Sequence, residues 1–122
     1  MREIRPKAAP APVGPYSPGV EAGSVYCAGQ LGIDPDTGVL EGGVVAQTAR
    51  ALSNIQAVLE AAGLGMKNVV KTTVFLADMA EYPLMNEEYA RHFSPPYPAR
   101  TTVQAGALPR AARVEIDAVA AP

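Results

Sequence analysis

A stripe of apolar residues between positions 45 and 62 constrains the fold of this chain most strongly. Apolar side chains at positions 45, 49, 52, 55, 59 and 62 recur every three or four residues, which is the spacing of one face of an α-helix. Gly63 follows, where a left-handed residue commonly ends a helix. The polar residues Gln47, Arg50, Asn54 and Glu60 fall largely off this stripe. The pattern therefore predicts an amphipathic helix that packs on a flat apolar surface.

Segments rich in β-formers are expected to supply that surface. A strand over Ser24–Ala28 is predicted to pair with a shorter one near Val20, and further strands are predicted over Asn68–Leu76, Arg100–Gln104 and Ala112–Val119. A second helix is predicted to begin near Tyr82, with Pro83 in its first turn. Its buried residues are expected to be Tyr82, Met85, Tyr89 and Phe93, and Pro95, Pro96 and Pro98 are expected to stop it.

These elements give the order ββαβαββ within one domain, residues 1–122. Five prolines among the first 18 residues indicate an extended, loop-like arm. The last two strands are expected to form a terminal hairpin through Gly106, Leu108 and Pro109. Such an order predicts an α+β two-layer fold, a mixed sheet with both helices on one face.

Composition excludes several classes of function. Ten Lys and Arg against 12 Asp and Glu give a net charge of −2, so nucleic acid is disfavoured as the main partner despite a small basic start of Arg2, Arg5 and Lys7. The single cysteine, Cys27, and the single histidine, His92, cannot build a zinc site. No metal and no cofactor are expected, and no phosphate-binding glycine motif is found. No stretch is apolar enough to cross a membrane and no targeting segment is visible, so a cytoplasmic location is expected.

Arg100 and Glu115 form the most promising pair of chemical groups. If the last two strands form a hairpin, the two residues are symmetric about its turn and lie opposite or diagonal on one face. One possibility is a cross-strand ion pair worth roughly 0.2 to 1 kcal/mol. The other is a binding site in which the arginine binds a carboxylate bidentately, beside a glutamate that can hold or activate water. Spacing alone favours the ion pair.

Two further residues allow two interpretations each. Tyr16 lies in the proline-rich arm, where it is either a packing tyrosine or a hydroxyl presented by a rigid loop. Cys27 lies in the middle of a predicted strand, where a thiol is usually a small buried hydrophobe rather than a nucleophile.

Six collinear motifs resemble those of a known family. They are Gly14-Pro15-Tyr16-Ser17, Ala28-Gly29-Gln30, Lys71-Thr72-Thr73-Val74-Phe75-Leu76, Asn86-Glu87-Glu88-Tyr89, Pro98-Ala99-Arg100 and Val114-Glu115-Ile116. In this order they resemble the RidA (YjgF/YER057c/UK114) family across nearly the whole chain. The resemblance implies a chorismate-mutase-like α+β fold and a homotrimer with clefts between its subunits.

The resemblance also implies an activity, the hydrolytic deamination of reactive 2-imino or 2-enamino acids to 2-oxo acids and ammonia. A small imino or oxo acid would be the ligand, and no metal or covalent nucleophile is needed. In the family pattern Arg100 matches the residue that grips the substrate carboxylate and Glu115 the residue that positions water. Three more positions match residues of the cleft, namely Tyr16, Gly29 and Asn86.

Two positions depart from the family pattern. Ala28 stands where serine is frequent in the deaminase branch, and Thr102 stands where cysteine is frequent. Ala28 removes a hydroxyl that could contact the ligand, which leaves substrate range open. One alternative function is therefore a non-catalytic binder of small 2-oxo carboxylates. A second is an RNA-cleaving or translation-inhibiting activity of the kind found among other family members.

Overall fold

The computed structural model describes residues 1–122 as a six-stranded sheet with two α-helices. The strands are β1 (Arg2–Ile4), β2 (Gly19–Ala22), β3 (Ser24–Leu31), β4 (Val69–Leu76), β5 (Ala99–Gln104) and β6 (Val114–Ala120), and the helices are α1 (Val44–Ala61) and α2 (Tyr82–Ala90). No helix is long and apolar enough to span a membrane. The chain therefore has the predicted α+β two-layer architecture, with one strand more than expected.

The additional strand is β1, at one edge of the sheet. It pairs with β2 in antiparallel register, Arg2 opposite Glu21 and Ile4 opposite Gly19. The observed order is thus βββαβαββ, whereas the sequence predicted ββαβαββ with a loop-like arm. The prolines of the arm begin only at position 6, so the three residues of β1 keep the N–H groups that pairing requires.

The sheet order is β1-β2-β3-β6-β4-β5, and it contradicts the predicted terminal hairpin. Strands β5 and β6 do not touch, because β4 lies between them, parallel to β5 and antiparallel to β6. The nine residues between β5 and β6 cross the end of β4 and contain a 3₁₀ turn over Pro109–Ala111. A connection of this length can pass over one strand, and β4 gains a partner on each side by lying in the interior of the sheet.

Both helices cover one face of the sheet. Leu52, Ile55 and Leu59 of α1 are fully buried, and they share one core with Val74 and Ile116 of the sheet. The amphipathic helix thus packs on a flat surface as predicted. In α2, Met85 and Tyr89 are buried and Phe93 packs against the same core from beyond the helix end. Helix α2 ends at Ala90, before the prolines that were expected to stop it.

Three polar residues of α1 are buried, Gln47, Thr48 and Asn54, although the sequence pattern placed Gln47 and Asn54 off the apolar stripe. The side-chain amide of Gln47 donates to the carbonyl of Glu41 and its oxygen accepts the N–H of Arg113. Asn54 donates to the carbonyls of Leu31 and Ile33. Buried amides are tolerated when hydrogen-bonded in this way. Conversely Val45, predicted to lie on the stripe, is 42% exposed, because the buried face of α1 is centred on positions 48, 51, 55 and 58.

Candidate functional site

A β-bulge in β3 brings Gly29 against Glu115. The register between β3 and β6 shifts between Cys27 and Gln30, so that Ala28 and Gly29 together face the single Asp117. A Cβ atom added to Gly29 would lie 2.5 Å from Glu115 Oε2. Glycine at this position leaves room for the Glu115 carboxylate in its present orientation, so a larger residue would displace that side chain.

Glu115 lies in a cleft of about 350 Å³ that we name the carboxylate cleft. Tyr16 and Gly29 line it too, so three residues singled out in the sequence meet there. Tyr16 is 50% exposed and also borders a shallower opening that contains Ala28. The full lining of the carboxylate cleft is Pro10, Ala11, Val13, Tyr16, Pro18, Gly29, Gln30, Leu31, Ile33, Pro109, Arg110 and Glu115.

The environment of Glu115 disfavours its ionised form. Partial burial raises the pKa of this carboxyl above its ordinary value, and the negative charge of Asp117, two residues along the same strand face, adds to the effect. A carboxyl group with a raised pKa exchanges its proton more readily near neutral pH than an ordinary glutamate.

Arg100 lies in a different cleft, also of about 350 Å³, that we name the arginine cleft. Its Nη2 donates to Tyr82 Oη and to Asn86 Oδ1, both at 2.7 Å. Its guanidinium carbon stacks 4.6 Å from the ring centroid of Tyr89, a favourable cation–π distance. The residues of α2 thus hold the guanidinium in one orientation. The arginine cleft is lined by Asn86, Tyr89, Ala90, Tyr97, Pro98 and Arg100.

Arg100 and Glu115 lie on opposite faces of the sheet within one chain, which contradicts the prediction that they share a face. In β4, Arg100 is in register with Thr72 and Glu115 with Phe75. Residues an odd number apart point to opposite sides of a strand, and Thr72 points to the helix side, where it bonds Tyr89. Two strand spacings and three residue rises separate their Cα atoms by about 14 Å. The error follows directly from the incorrect hairpin, since the hairpin would have put them on neighbouring strands. The cross-strand ion pair is therefore also absent.

The ion pairs of the chain leave two arginines without an acidic partner. Five of the seven arginines pair with a carboxylate, namely Arg2, Arg5, Arg50, Arg91 and Arg113. The other two are Arg100 and Arg110, and each lines a cleft. Glu115 likewise has no cationic partner in its own chain. Each cleft therefore contains charged groups that remain available to a ligand.

Three residues around these clefts were not predicted as site residues. Tyr82 and Tyr89 hold Arg100, and their spacing from Asn86 of four and three residues, which places all three on one helix face, could have indicated this. Arg110 had no such signal, because its position depends on a backbone conformation that arginine rarely adopts. Thr102 lies two residues beyond Arg100 on the same face of β5 but does not line the arginine cleft.

Cys27 is buried on the helix side of β3, with 5% of its surface exposed. Burial, and secondarily the charge of Asp117, raises the pKa of its thiol from 9.0 to about 12. Because only the thiolate reacts, we expect labelling by a disulfide reagent at pH 8 to be about a thousandfold slower in the folded protein than in urea. Equal rates in the two states, measured by absorbance, would contradict this burial.

No cluster of three or more His, Cys, Asp or Glu side chains could hold a metal ion. The groups that can act on a ligand are two guanidiniums, one carboxyl group, hydroxyls and amides. These are groups that bind small organic anions and move protons.

The mixed sheet with both helices on one face defines a two-layer α+β protein of the chorismate-mutase-like class. The family model described as Endoribonuclease L-PSP matches residues 6–122. A 2-iminobutanoate/2-iminopropanoate deaminase from Mus musculus is 49% identical over 114 residues, covering 92% of this chain and 84% of the relative. The Homo sapiens protein with the same name is 45% identical over 98% of this chain and 88% of its own length.

Two solved structures are also very similar. RidA from Psychrobacter sp. PAMC 21119 superimposes with a TM-score of 0.97 at 41% identity, covering all of both chains. E. coli TdcF with bound serine gives a TM-score of 0.96 at 35% identity, covering 100% of this chain and 99% of the other. The chain belongs to the RidA (YjgF) family, as its motifs predicted.

Proposed function

We propose that this protein hydrolyses 2-imino and 2-enamino acids to 2-oxo acids and ammonia at a site formed between two copies of the chain. Arg100 of one copy binds the substrate carboxylate. Glu115 of the neighbouring copy, together with Gly29 and Tyr16, positions the water molecule and transfers its proton. The names of the mouse and human relatives and the serine bound to TdcF, itself a small amino acid with a carboxylate, support this choice of ligand class.

The observation that carries the proposal is the separation of two incomplete half-sites. One face of the chain presents an arginine that is oriented by Tyr82 and Asn86 but has no carboxylate partner. The other face presents a desolvated glutamate that has no cationic partner. A single chain cannot bring the two together, whereas two copies in a closed ring can place one half against the other at each interface.

The uncovered face of the sheet supports assembly into such a ring. The helices cover only one face, and the other exposes Tyr26 at 47% and Val103 at 39%, with Phe75 between them in the sheet. The same face also carries Lys71, Thr73 and Asp117, and exposed apolar residues within a polar surround often mark an interaction surface. A homotrimer, as the family resemblance implies, would cover this face in each copy and create three equivalent sites.

The proposed reaction needs only orientation and proton transfer. The water oxygen forms a bond to the imine carbon while the C=N electron pair moves to nitrogen, which gives a carbinolamine. Glu115 accepts a proton from the water and returns it to the nitrogen. The C–N bond then breaks as the C=O bond forms, while the proton of the carbinolamine hydroxyl passes through Glu115 to the leaving nitrogen, so that ammonia leaves and the 2-oxo acid remains. The raised pKa of Glu115 suits a group that accepts and then donates a proton in one cycle.

The remaining predicted residues take supporting positions in this proposal. Ala28, beside Gly29 in the bulge, presents no hydroxyl, so recognition at that point depends on backbone groups. Asn86 orients Arg100 through its side-chain oxygen. Thr102, outside the arginine cleft of its own chain, is proposed to approach the ligand only at the interface between copies.

Mixed trimers test the shared site directly. We expect Arg100→Ala and Glu115→Gln each to be inactive alone, because each removes one half from every site. A trimer that contains both variants has one interface at which an intact Arg100 meets an intact Glu115. Mixed trimers purified through two different tags should therefore recover about one third of wild-type activity, by counting interfaces in a ring of three. Imine produced by a threonine dehydratase, followed by its absorbance, provides the assay.

Separately purified variants that are mixed without subunit exchange serve as the control and should stay inactive. No recovery in the doubly tagged trimers would show that each site uses residues of one chain only. That result would overturn the shared site.

A non-catalytic binder of 2-oxo acids would use the same clefts, and the serine bound to TdcF is compatible with it. Calorimetry that detects 2-oxobutanoate binding, together with imine decay at the uncatalysed rate, would favour this alternative.

RNA cleavage, suggested by the description of the family model, has weaker support from this structure. Two of the basic residues at the start of the chain are neutralised in β1 and just after it, Arg2 by Glu21 and Arg5 by Glu3. They do not form a free basic surface for a phosphate backbone.

A further inference from the structure

Arg110 is the second arginine without an acidic partner, and it lines the carboxylate cleft together with Glu115. Its Nη1 donates to the carbonyl of Gly38 at 3.0 Å. Arg110 is exposed, and because arginine carries five N–H donors, this single bond leaves most of them available to a ligand. Arg110 and Glu115 are the two charged residues among those that line this cleft.

The backbone at Arg110 is held in an unfavourable conformation. Arg110 has φ 58° and Ala111 has φ 55°, both in the left-handed region that a residue with a Cβ atom rarely adopts. Strain of this kind clusters at ligand sites, where the surrounding structure enforces it. Here the two strained residues are consecutive, and the first of them, Arg110, is the positively charged residue that lines the carboxylate cleft.

We propose that Arg110 makes this protein select 2-imino and 2-oxo acids that carry a second carboxylate at the far end of the carbon chain. This inference rests on the proposed function for the orientation of the substrate. With its first carboxylate on Arg100 of the neighbouring copy and its reacting carbon beside Glu115, the substrate directs its side chain toward the remaining wall of the cleft.

That wall fits a short dicarboxylic acid. Its apolar part includes Leu31, Ile33 and Pro109, which can contact methylene groups. The guanidinium of Arg110 can then bind the distal carboxylate with two parallel hydrogen bonds. A second negative charge brought close to Glu115 would be repelled in the absence of a cation, and Arg110 supplies that cation.

Calorimetry with two 2-oxo acids separates selectivity from general carboxylate binding. We expect the wild type to bind 2-oxoglutarate at least tenfold more tightly than 2-oxobutanoate. Arg110→Gln should lose at least tenfold in affinity for 2-oxoglutarate while its affinity for 2-oxobutanoate changes less than twofold. Arg110→Lys should retain part of the preference, because it keeps the charge but loses the planar fork.

Arg2→Gln provides the matched control, since it removes an exposed arginine away from both clefts, and it should leave both affinities unchanged. Equal weakening of both acids in Arg110→Gln would show that Arg110 binds the carboxylate common to both. No weakening of either would show that it faces solvent. Each of these two results overturns the proposed selectivity.

Turnover distinguishes this inference from the proposed function. Imines made in the cuvette by oxidases acting on aspartate and on alanine give a dicarboxylic and a monocarboxylic substrate. We expect Arg110→Gln to lower kcat/KM at least tenfold for the first and less than twofold for the second. If the wild type accelerates neither reaction, the deaminase function fails, while the binding preference still confirms or overturns the role of Arg110.

Discussion

Arg100→Ala should lower kcat/KM for imine hydrolysis by more than tenfold. In the proposed function the substitution removes charge-assisted hydrogen bonds to the substrate carboxylate, each worth about 1.5 to 3 kcal/mol. A loss of about 1.4 kcal/mol already corresponds to a factor of ten in rate. Arg100 makes no salt bridge in its own chain and bonds only the neutral groups of Tyr82 and Asn86. Its charge is therefore available to the substrate.

The measurement is the decay of imine released by a threonine dehydratase, with and without the variant. Arg100→Lys is the informative companion, because it keeps a positive charge while losing the bidentate geometry, and it should fall between the wild type and alanine. Removal of the guanidinium also removes its stacking on Tyr89, worth about 0.5 to 1 kcal/mol, so the unfolding midpoint is recorded for each variant. Unchanged kcat/KM in a folded Arg100→Ala protein would rule out its proposed role.

Gly32→Ala should destabilise the fold by about 2 to 3 kcal/mol, near the upper end of the usual cost of overpacking. A Cβ atom at Gly32 would lie 2.4 Å from Gln47 Cα and 2.6 Å from the Gln47 carbonyl oxygen. These are backbone atoms in the first turn of α1, so they cannot move aside as a flexible side chain would. Helix α1 would have to shift from the end of β3, which would disturb both hydrogen bonds of Gln47.

Urea unfolding followed by far-UV circular dichroism provides the measurement, at one fixed protein concentration because the stability of an oligomer depends on it. Gly42→Ala is the matched control. An added Cβ at Gly42 meets nothing within 4 Å, and its cost should stay within about 0.5 kcal/mol, as for most surface substitutions. Equal stabilities of the two variants would contradict the close packing of α1 on β3.

Several features of the fold could be predicted because they depend on local spacing. The apolar period of α1, the position of Pro83 in the first turn of α2 and the alternation along β6 are each contained in a few consecutive residues. The collinear motifs identified the family, and the comparisons confirmed it. The burial of Gln47 and Asn54 could not be predicted, because it depends on partners that are distant in the sequence, Arg113 and Leu31.

The candidate site shows the limit of such reasoning. Gly29 and Glu115 were named from their motifs, but their contact depends on a bulge between β3 and β6 that neither strand reveals alone. Arg110 could not be predicted as a site residue, because a left-handed arginine has no sequence signature. The position of Arg100 relative to Glu115 depends on which strand pairs with β5. The sequence predicted β6 as that strand, whereas β5 pairs with β4.

The sequence by itself therefore determined the helices, most of the strands, the family and the chemical groups that are present, since local periodicity and motif order encode these. Only the tertiary structure decided that β4 separates β5 from β6, and that Arg100 and Glu115 consequently lie on opposite faces. The physical reason is that strand pairing is a contact between distant segments, and a different neighbour or a shift of one residue reverses which side of the sheet a side chain occupies.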